Sequence, residues 1–405
     1  MRRSLIAGGA VALLLTVFAA VRVFAPGDTL DRSREPYPQP RAAYAHVYGE
    51  LMRSPLLIGT WMRVYGAQNR VWADGPVWFG VPASALWAFR RWPAQLVGVV
   101  ADDHVVVSKW SDGKLVAIDP ETGRIMWRAD AGVGATSYQG RRTGASTVYE
   151  PPGLYLAPVP DGRPVVVSER ADGELTALST GTGAVLWHRQ FKDRPDCRRM
   201  FTGPRVVVVI DRCPVPSTVD VYAAATGQPM AAPPAGPTVW PVGCTVGRQG
   251  CTGLAGLGGG WLIGPDGGFT RAPALTDTDG WLAGRLVVHL ADGRIVAHDP
   301  VTGAPAWSWP ASSAAPAGAR VVAVESGLVH VVTSDGDLFN IDAANGVEVS
   351  GYPAHVLGVH KPWVPGHVYA SHGYVAIERL LPGGRPEQKD SQYYYPFPTV
   401  LLTGS

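Results

Sequence analysis

An all-β chain closed into a ring of four-stranded units is what this sequence predicts, and three observations predict it. A strand-turn-strand-turn-strand unit, HVVVSKW, SDG, KLVAIDP, ETG and RIMW, occupies residues 104–127 and recurs at 164–187 and 285–307. Weaker copies stand at 205–230 and 328–349. The glycine of its second turn falls at Gly123, Gly183, Gly227, Gly303 and Gly346, at intervals of 60, 44, 76 and 43. An insertion lengthens the first interval. The third hides a degenerate unit around WLIGPDGGF, 261–269. The underlying period is therefore about 40, the signature of four short strands per repeat and hence of a β-propeller. The units also carry β-branched alternation and Asp-Gly or Thr-Gly turns, which supply the positive φ of tight hairpins and exclude a helical solenoid.

From the amino terminus, Arg2 and Arg3 precede an apolar run from Leu5 to Val21 that continues to Ala25, broken only by Arg22. About 20 apolar residues span a bilayer. Pro26 and Arg22 both disfavour cleavage after Ala25, so residues 1–25 read as a signal-anchor, a transmembrane helix with the rest of the chain on the extracytoplasmic side of the cell membrane. Secretion after cleavage is the alternative. No Cys lies near the end of the run, which excludes a lipoprotein signal. Residues 26–58 read as a Pro-rich spacer, with Pro26, Pro36, Pro38 and Pro40, followed by a short helix. Tyr44, Val47, Tyr48 and Leu51 recur at helical spacing on one face of that helix. Residues 59–405 form the propeller.

Hydrophobic residues make up 46% of the 405, too many for a disordered chain. Lys plus Arg number 35 against 33 for Asp plus Glu, a balance that points away from nucleic acid. The four cysteines contain no CxxC. Cys197 with Cys213 and Cys244 with Cys251 would close short loops, the preferred one of three pairings, in an oxidising compartment.

Outer strands are expected to end near 87–92, 127, 187, 230, 270, 307 and 349, which gives seven blades, or eight if residues 61–80 form strands of their own. Residues 84–92 read as a lone outer strand carrying Trp87. Strands at 367–380 and 399–404 read as a blade lacking its last member. A ring in which both termini share one blade leaves no free edge there.

One motif is specific. Ala-x-Asp-x-x-Thr-Gly-x-x-x-Trp is complete at Ala117, Asp119, Thr122, Gly123 and Trp127, and again at Ala297, Asp299, Thr302, Gly303 and Trp307. A third copy keeps Ala177, Thr182, Gly183 and Trp187, with Ser179 in place of Asp. This resembles the pyrroloquinoline-quinone (PQQ) type propeller repeat over roughly residues 80–400. The resemblance implies that Trp87, Trp127, Trp187 and Trp307 dock on neighbouring blades. A buried indole N–H also needs a partner, which carbonyls near the Thr-Gly turn could supply.

Quinoprotein dehydrogenases of this fold hold PQQ and calcium with an adjacent-cysteine disulfide in many members, a stacking Trp and oxygen ligands. This chain has no adjacent cysteines and no such ligand cluster at motif spacing. The Asp-Gly aspartates Asp112, Asp172, Asp292 and Asp335 are explained by hairpin chemistry. The expectation is therefore a scaffold without cofactor or catalysis that binds partner proteins, similar to propellers of the outer-membrane assembly factor B type. A PQQ- and calcium-dependent dehydrogenase is the alternative. Contact surfaces are expected on the insertion 132–160, with Tyr138, Tyr149 and Tyr155, and on the loop 382–398, with Tyr393, Tyr394, Tyr395 and Phe397. The alternative is that these aromatics pack their own loops. His355, His360, His367 and His372 match no metal spacing, and the glycines of 256–260 precede no helix, so they form no dinucleotide loop.

Overall fold

The computed structural model describes residues 27–34, 44–59, 62–75, 85–132, 138, 140, 148–159, 162–191, 197–234, 236, 238–245, 250–257, 259–275, 280–310, 316–325, 327–355, 362–385 and 400–404. The apolar run 1–25 lies outside them. Among the described residues no helix is long and apolar enough to cross a membrane.

Two strands open the described chain, β1 (Gly27–Arg32) and β2 (Val47–Leu51), and each completes a blade built by later sequence. Blade I follows as β3 (Leu56–Ile58), β4 (Met62–Ala67), β5 (Arg70–Asp74) and β6 (Ala85–Trp92), with β1 added outside β6. Blade II is β7 (Leu96–Ala101), β8 (Val106–Trp110), β9 (Lys114–Ile118) and β10 (Ile125–Asp130). Blade III is β11 (Leu154–Ala157), β12 (Val165–Glu169), β13 (Glu174–Ser179) and β14 (Val185–Gln190). Blade IV is β15 (Arg198–Gly203), β16 (Val206–Asp211), β17 (Thr218–Ala223) and β18 (Pro229–Met230). Blade V is β19 (Val239–Thr245), β20 (Gly250–Gly256), β21 (Gly260–Ile263) and β22 (Phe269–Ala272), joined to blade IV by a parallel pairing of Thr202 with Gly250. Blade VI is β23 (Trp281–Ala283), β24 (Leu286–Ala291), β25 (Arg294–His298) and β26 (Pro305–Trp309). Blade VII is β27 (Arg320–Glu325), β28 (Leu328–Val332), β29 (Asp337–Asp342) and β30 (Glu348–Pro353). Blade VIII is β31 (Val364–Ser371), β32 (Tyr374–Leu380), β33 (Val400–Gly404) and β2.

The ring thus has eight blades among the described residues, the alternative count and not the seven preferred from sequence. Residues 62–67 and 70–74 are strands, so 85–92 closes its own blade. Contact runs from blade to blade and returns from β31 to β3. The two termini do share a blade, but the strand that completes it is β2, paired with β33 from Val47 opposite Thr403 to Leu51 opposite Val400. Residues 47–51 of the expected helix are therefore a strand. Their apolar spacing suits either structure, and the open edge of β33 offers the backbone partners that decide between them. The expected spacer is corrected likewise, since residues 27–32 pair along the whole outer edge of β6.

The turns sort onto two faces. The loop between first and second strands lies beside that between third and fourth, as where Ala343 N–H donates to Gly327 O. We call this the front. Turns between second and third strands share the back with the connectors between blades, as where Ala131 N–H donates to Gly113 O and Phe191 N–H to Gly173 O.

Neighbouring blades are locked by an indole. Trp87 Nε1 donates to Pro120 O at 2.8 Å, Trp127 to Thr180 O at 2.6 Å, Trp187 to Ala224 O at 2.7 Å and Trp307 to Ala343 O at 2.9 Å. Each ring lies against the turn glycine of the next blade. A Cβ added to Gly123, Gly183, Gly227 or Gly346 would fall within 3 Å of the Trp. Gly303 has no such neighbour, because the preceding outer strand, β22, contains no Trp. Cys197 is bonded to Cys213 and Cys244 to Cys251, in blades IV and V.

Gly303 and Gly346 share a φ of 73° and differ in whether an indole covers them. Gly303→Ala should cost only the left-handed backbone strain, about 1–2 kcal/mol. Gly346→Ala should cost a further ~1–3 kcal/mol, because the Trp307 ring must move. Urea unfolding of the two variants would test this, and equal midpoints would refute the lock.

Candidate binding surface

The outer strand of a blade begins just after its turn glycine, and its pairing slips by one residue before the Trp position. Trp127 faces Ala117 while Ile125 faces Ile118, leaving Met126 unpaired. The same bulge leaves Leu86, Leu186, Ala306 and Val349 unpaired in blades I, III, VI and VII. A bulge re-aims the side chains beside it. Here it accompanies the turn of the Trp toward the next blade. In blade VII the Trp position holds Ser350, whose Oγ accepts from Asn340 Nδ2 at 2.8 Å, and Asn340 Oδ1 lies 2.7 Å from the buried His330 Nδ1.

The fate of the bulge residue depends on what lies outside it. In blade I, β1 covers the edge, Leu86 is 8% exposed, and its carbonyl accepts from Ser33 N at 2.7 Å. In blades III and VII, whose outer strands end their sheets, Leu186 is 45% and Val349 57% exposed. Val185 and Val347 beside them are exposed too. Charges hold β1 in place. Asp28 pairs with Arg91 of β6 and with Arg128 of β10, and Arg91 also reaches Asp112 at 2.5 Å. Blade I therefore displays an edge with a strand added, and blades III and VII display the same edge bare.

The contact surfaces expected from the sequence lie elsewhere. Tyr149 and Tyr155 are buried in the core, so neither is a surface residue. Tyr149 Oη donates to Ser54 O at 2.7 Å and accepts from Gly66 N, and Tyr155 Oη accepts from Gly153 N. Burial pushes both phenols up. Tyr138 is half-buried, its N–H donating to Gln95 Oε1. Residues 154–157 of the expected insertion are the innermost strand of blade III. Tyr393, Tyr394, Tyr395 and Phe397 lie outside the described residues, as does His360. His372 Nε2 lies 3.3 Å from Asp103 Oδ2, and His367 N–H donates to Glu378 Oε2.

The described residues do not fit a calcium cage of the quinoprotein kind. Among them, the group of three His, Cys, Asp or Glu side chains near enough to share an ion is Cys197, Asp211 and Cys213. Its two sulfurs are bonded to each other, and calcium requires oxygen donors.

A sequence profile described as outer membrane protein assembly factor BamB matches residues 69–229 and 260–355, together more than half of the chain. The chain belongs to this family. As a BamB-family propeller it is similar to several solved structures. BamB from Moraxella catarrhalis is 14% identical with a TM-score of 0.44, over 89% of this chain and 98% of that one. The computationally designed Ika8 protein is 16% identical with a TM-score of 0.45, over 89% and 98%. Sqt1 of Saccharomyces cerevisiae is 12% identical with a TM-score of 0.45, over 90% and 100%. No curated protein matches the chain.

Behind the surface, a buried cation ties three blades together. Lys109 of blade II donates to Gly153 O at 3.2 Å and Glu169 O at 2.5 Å in blade III. Glu169 Oε1 accepts from Arg198 of blade IV at 2.8 Å. Burial lowers the Lys109 amine from 10.5 to about 8, opposed by Glu169. The folded chain thus holds this proton less tightly than the unfolded chain. Stability should rise with pH between about 8 and 10.5, by up to about 3 kcal/mol. Read as the difference between wild type and Lys109→Met across a pH series of unfolding curves, a flat difference would contradict it.

Proposed function

We propose that the chain is a membrane-anchored, extracytoplasmic scaffold that binds partner proteins by strand addition at open blade edges and carries out no chemistry of its own. The observation that carries this is β1. A segment of the chain itself adds to blade I over six residues, from Gly27 opposite Trp92 to Arg32 opposite Trp87, and covers the bulge residue Leu86. Blades III and VII offer the same edge with Leu186 and Val349 uncovered. Strand addition draws affinity from main-chain hydrogen bonds and specificity from side chains at alternate positions. An exposed apolar residue at a fixed place on the edge is such a position. Two disulfides support the extracytoplasmic side, since they persist in oxidising compartments. The apolar run 5–25 supports the anchor. Membership in the BamB family accords with a scaffold and supplies no reaction.

The test is photocrosslinking of the full chain in its native membrane from residue 186 or 349. A discrete protein adduct is expected from each. Leu186→Lys, made together with a crosslinker at Val185, should abolish the adduct without moving the unfolding midpoint. Adducts that survive the lysine, or none from either edge, would count against strand addition. Saturable PQQ binding with calcium and dye-linked oxidation by the purified chain would restore the dehydrogenase.

A further inference from the structure

The back of the ring carries apolar side chains at its turn tips. Met52 follows β2, Trp92 ends β6, Leu257 follows β20, and Leu290 stands next to the end of β24; all four are exposed. Val215, in the loop after β16, is 88% exposed, and the loop is pinned at its base by the Cys197–Cys213 bond. The neighbouring Cys213, Pro214 and Pro216 are exposed as well. Blades I, IV, V, VI and VIII all contribute, and between these tips the same face carries the exposed Asp-Gly aspartates Asp112, Asp172, Asp292 and Asp335, of which Asp112 pairs with Arg91 and Asp172 with Arg170.

The chain also enters at this face. β1 begins at Gly27, directly opposite Trp92. Only Pro26 separates Gly27 from Ala25, the last residue of the apolar run. A bilayer entered by that run would begin no more than about 7 Å along the chain from Gly27, the partner of Trp92, since a residue advances the chain by no more than about 3.6 Å. Trp is enriched where protein meets the membrane interface. Two cations accompany it. Arg90 is exposed on the same face of β6, and Arg70 of β5 stands directly opposite Arg90 in register. Like charges paired across strands repel; Arg70 is held over the Trp72 ring at 4.6 Å and interacts with Asp74 and Asp31, so Arg90 is the exposed member of the pair. Arg212, three residues before Val215, is exposed also.

We propose that the back face docks on the surface of a phospholipid bilayer, with Trp92, Val215, Leu257, Leu290 and Met52 entering the interface and Arg90 and Arg212 meeting lipid phosphates. This rests on the anchored reading above and adds an orientation to it: the back faces lipid, and the front, with the starts of the outer strands, faces away.

The test uses the full chain in vesicles of phosphatidylglycerol and phosphatidylethanolamine, with a photocrosslinking residue at 92, 215 or 257 on the back, or at 301 or 347 on the front. Lipid adducts are expected from all three back positions and from neither front position. In Arg90→Glu, the adduct at 92 should fall. Lipid adducts from both faces alike, from neither, or protein adducts joining two copies through the back would overturn the docking. Alkaline carbonate extraction of the same vesicles separates this from the anchor. A retained chain without the back-face pattern sinks the docking and leaves the anchor. A released chain that had given the pattern upholds the docking and sinks the anchor.

Discussion

An indole seated on a bare glycine turn recurs around half of this ring, and much else is arranged to allow it. The glycine lacks a Cβ, so the ring can lie flat against the turn at positive φ. The turn places a carbonyl where the indole N–H can reach it, so a buried donor is satisfied. The outer strand slips one residue as the Trp comes inward. That slip leaves the preceding side chain without a cross-strand partner; at the bare edges of blades III and VII it faces water, while in blade II Met126 packs partly against the core. Locking the ring and presenting an apolar contact are thus two results of one bulge.

Where the indole is missing, other devices stand in its place. The outer strands of blades IV and V end in Met230 and Ala272 with no Trp, and both disulfides are in those two blades. The inner hairpin of blade V leans across to blade IV through the pairing of Thr202 with Gly250, and Cys251 O approaches Gly203 closely. Between blades VII and VIII, Glu325 accepts from the backbone of His372 and Gly373. Both disulfides lie inside their own blades, and what crosses these junctions is hydrogen bonding where the others seat an indole.

The parts of this fold encoded within one repeat were legible before the fold was known. Thr-Gly turns, Asp-Gly hairpins and the four Trp positions are local in sequence, because a turn and the strand after it determine each other. The parts that depend on distant partners were not. Tyr44 to Leu51 carries a helical spacing, and its residues 47–51 become a strand only because β33, some 350 residues away, leaves an edge open. Blade I has no Thr-Gly-x-x-x-Trp unit of its own, and its first strand has only three residues, so its outer strand looked solitary. Tyr149 and Tyr155 sit among glycines and prolines, which read as loop. Their burial is decided by Ser54, Gly66 and the closely packed inner strands. The bulge residue could be found as the position before each Trp, but which of them is covered depends on where β1 goes.

The placing of β1 also has a mechanical consequence. With residues 1–25 as the proposed anchor, the six paired residues of β1 would leave the tether almost no slack, so the ring would be held close to the anchor and could not swing freely above it. The outer strands run between back and front, and with the back against lipid their edges stand upright on the bilayer. A partner adding a strand to blade III or VII would then have to offer it upright too, as a segment rising from the membrane or descending toward it. A segment lying flat along the surface would meet turn tips and no open edge.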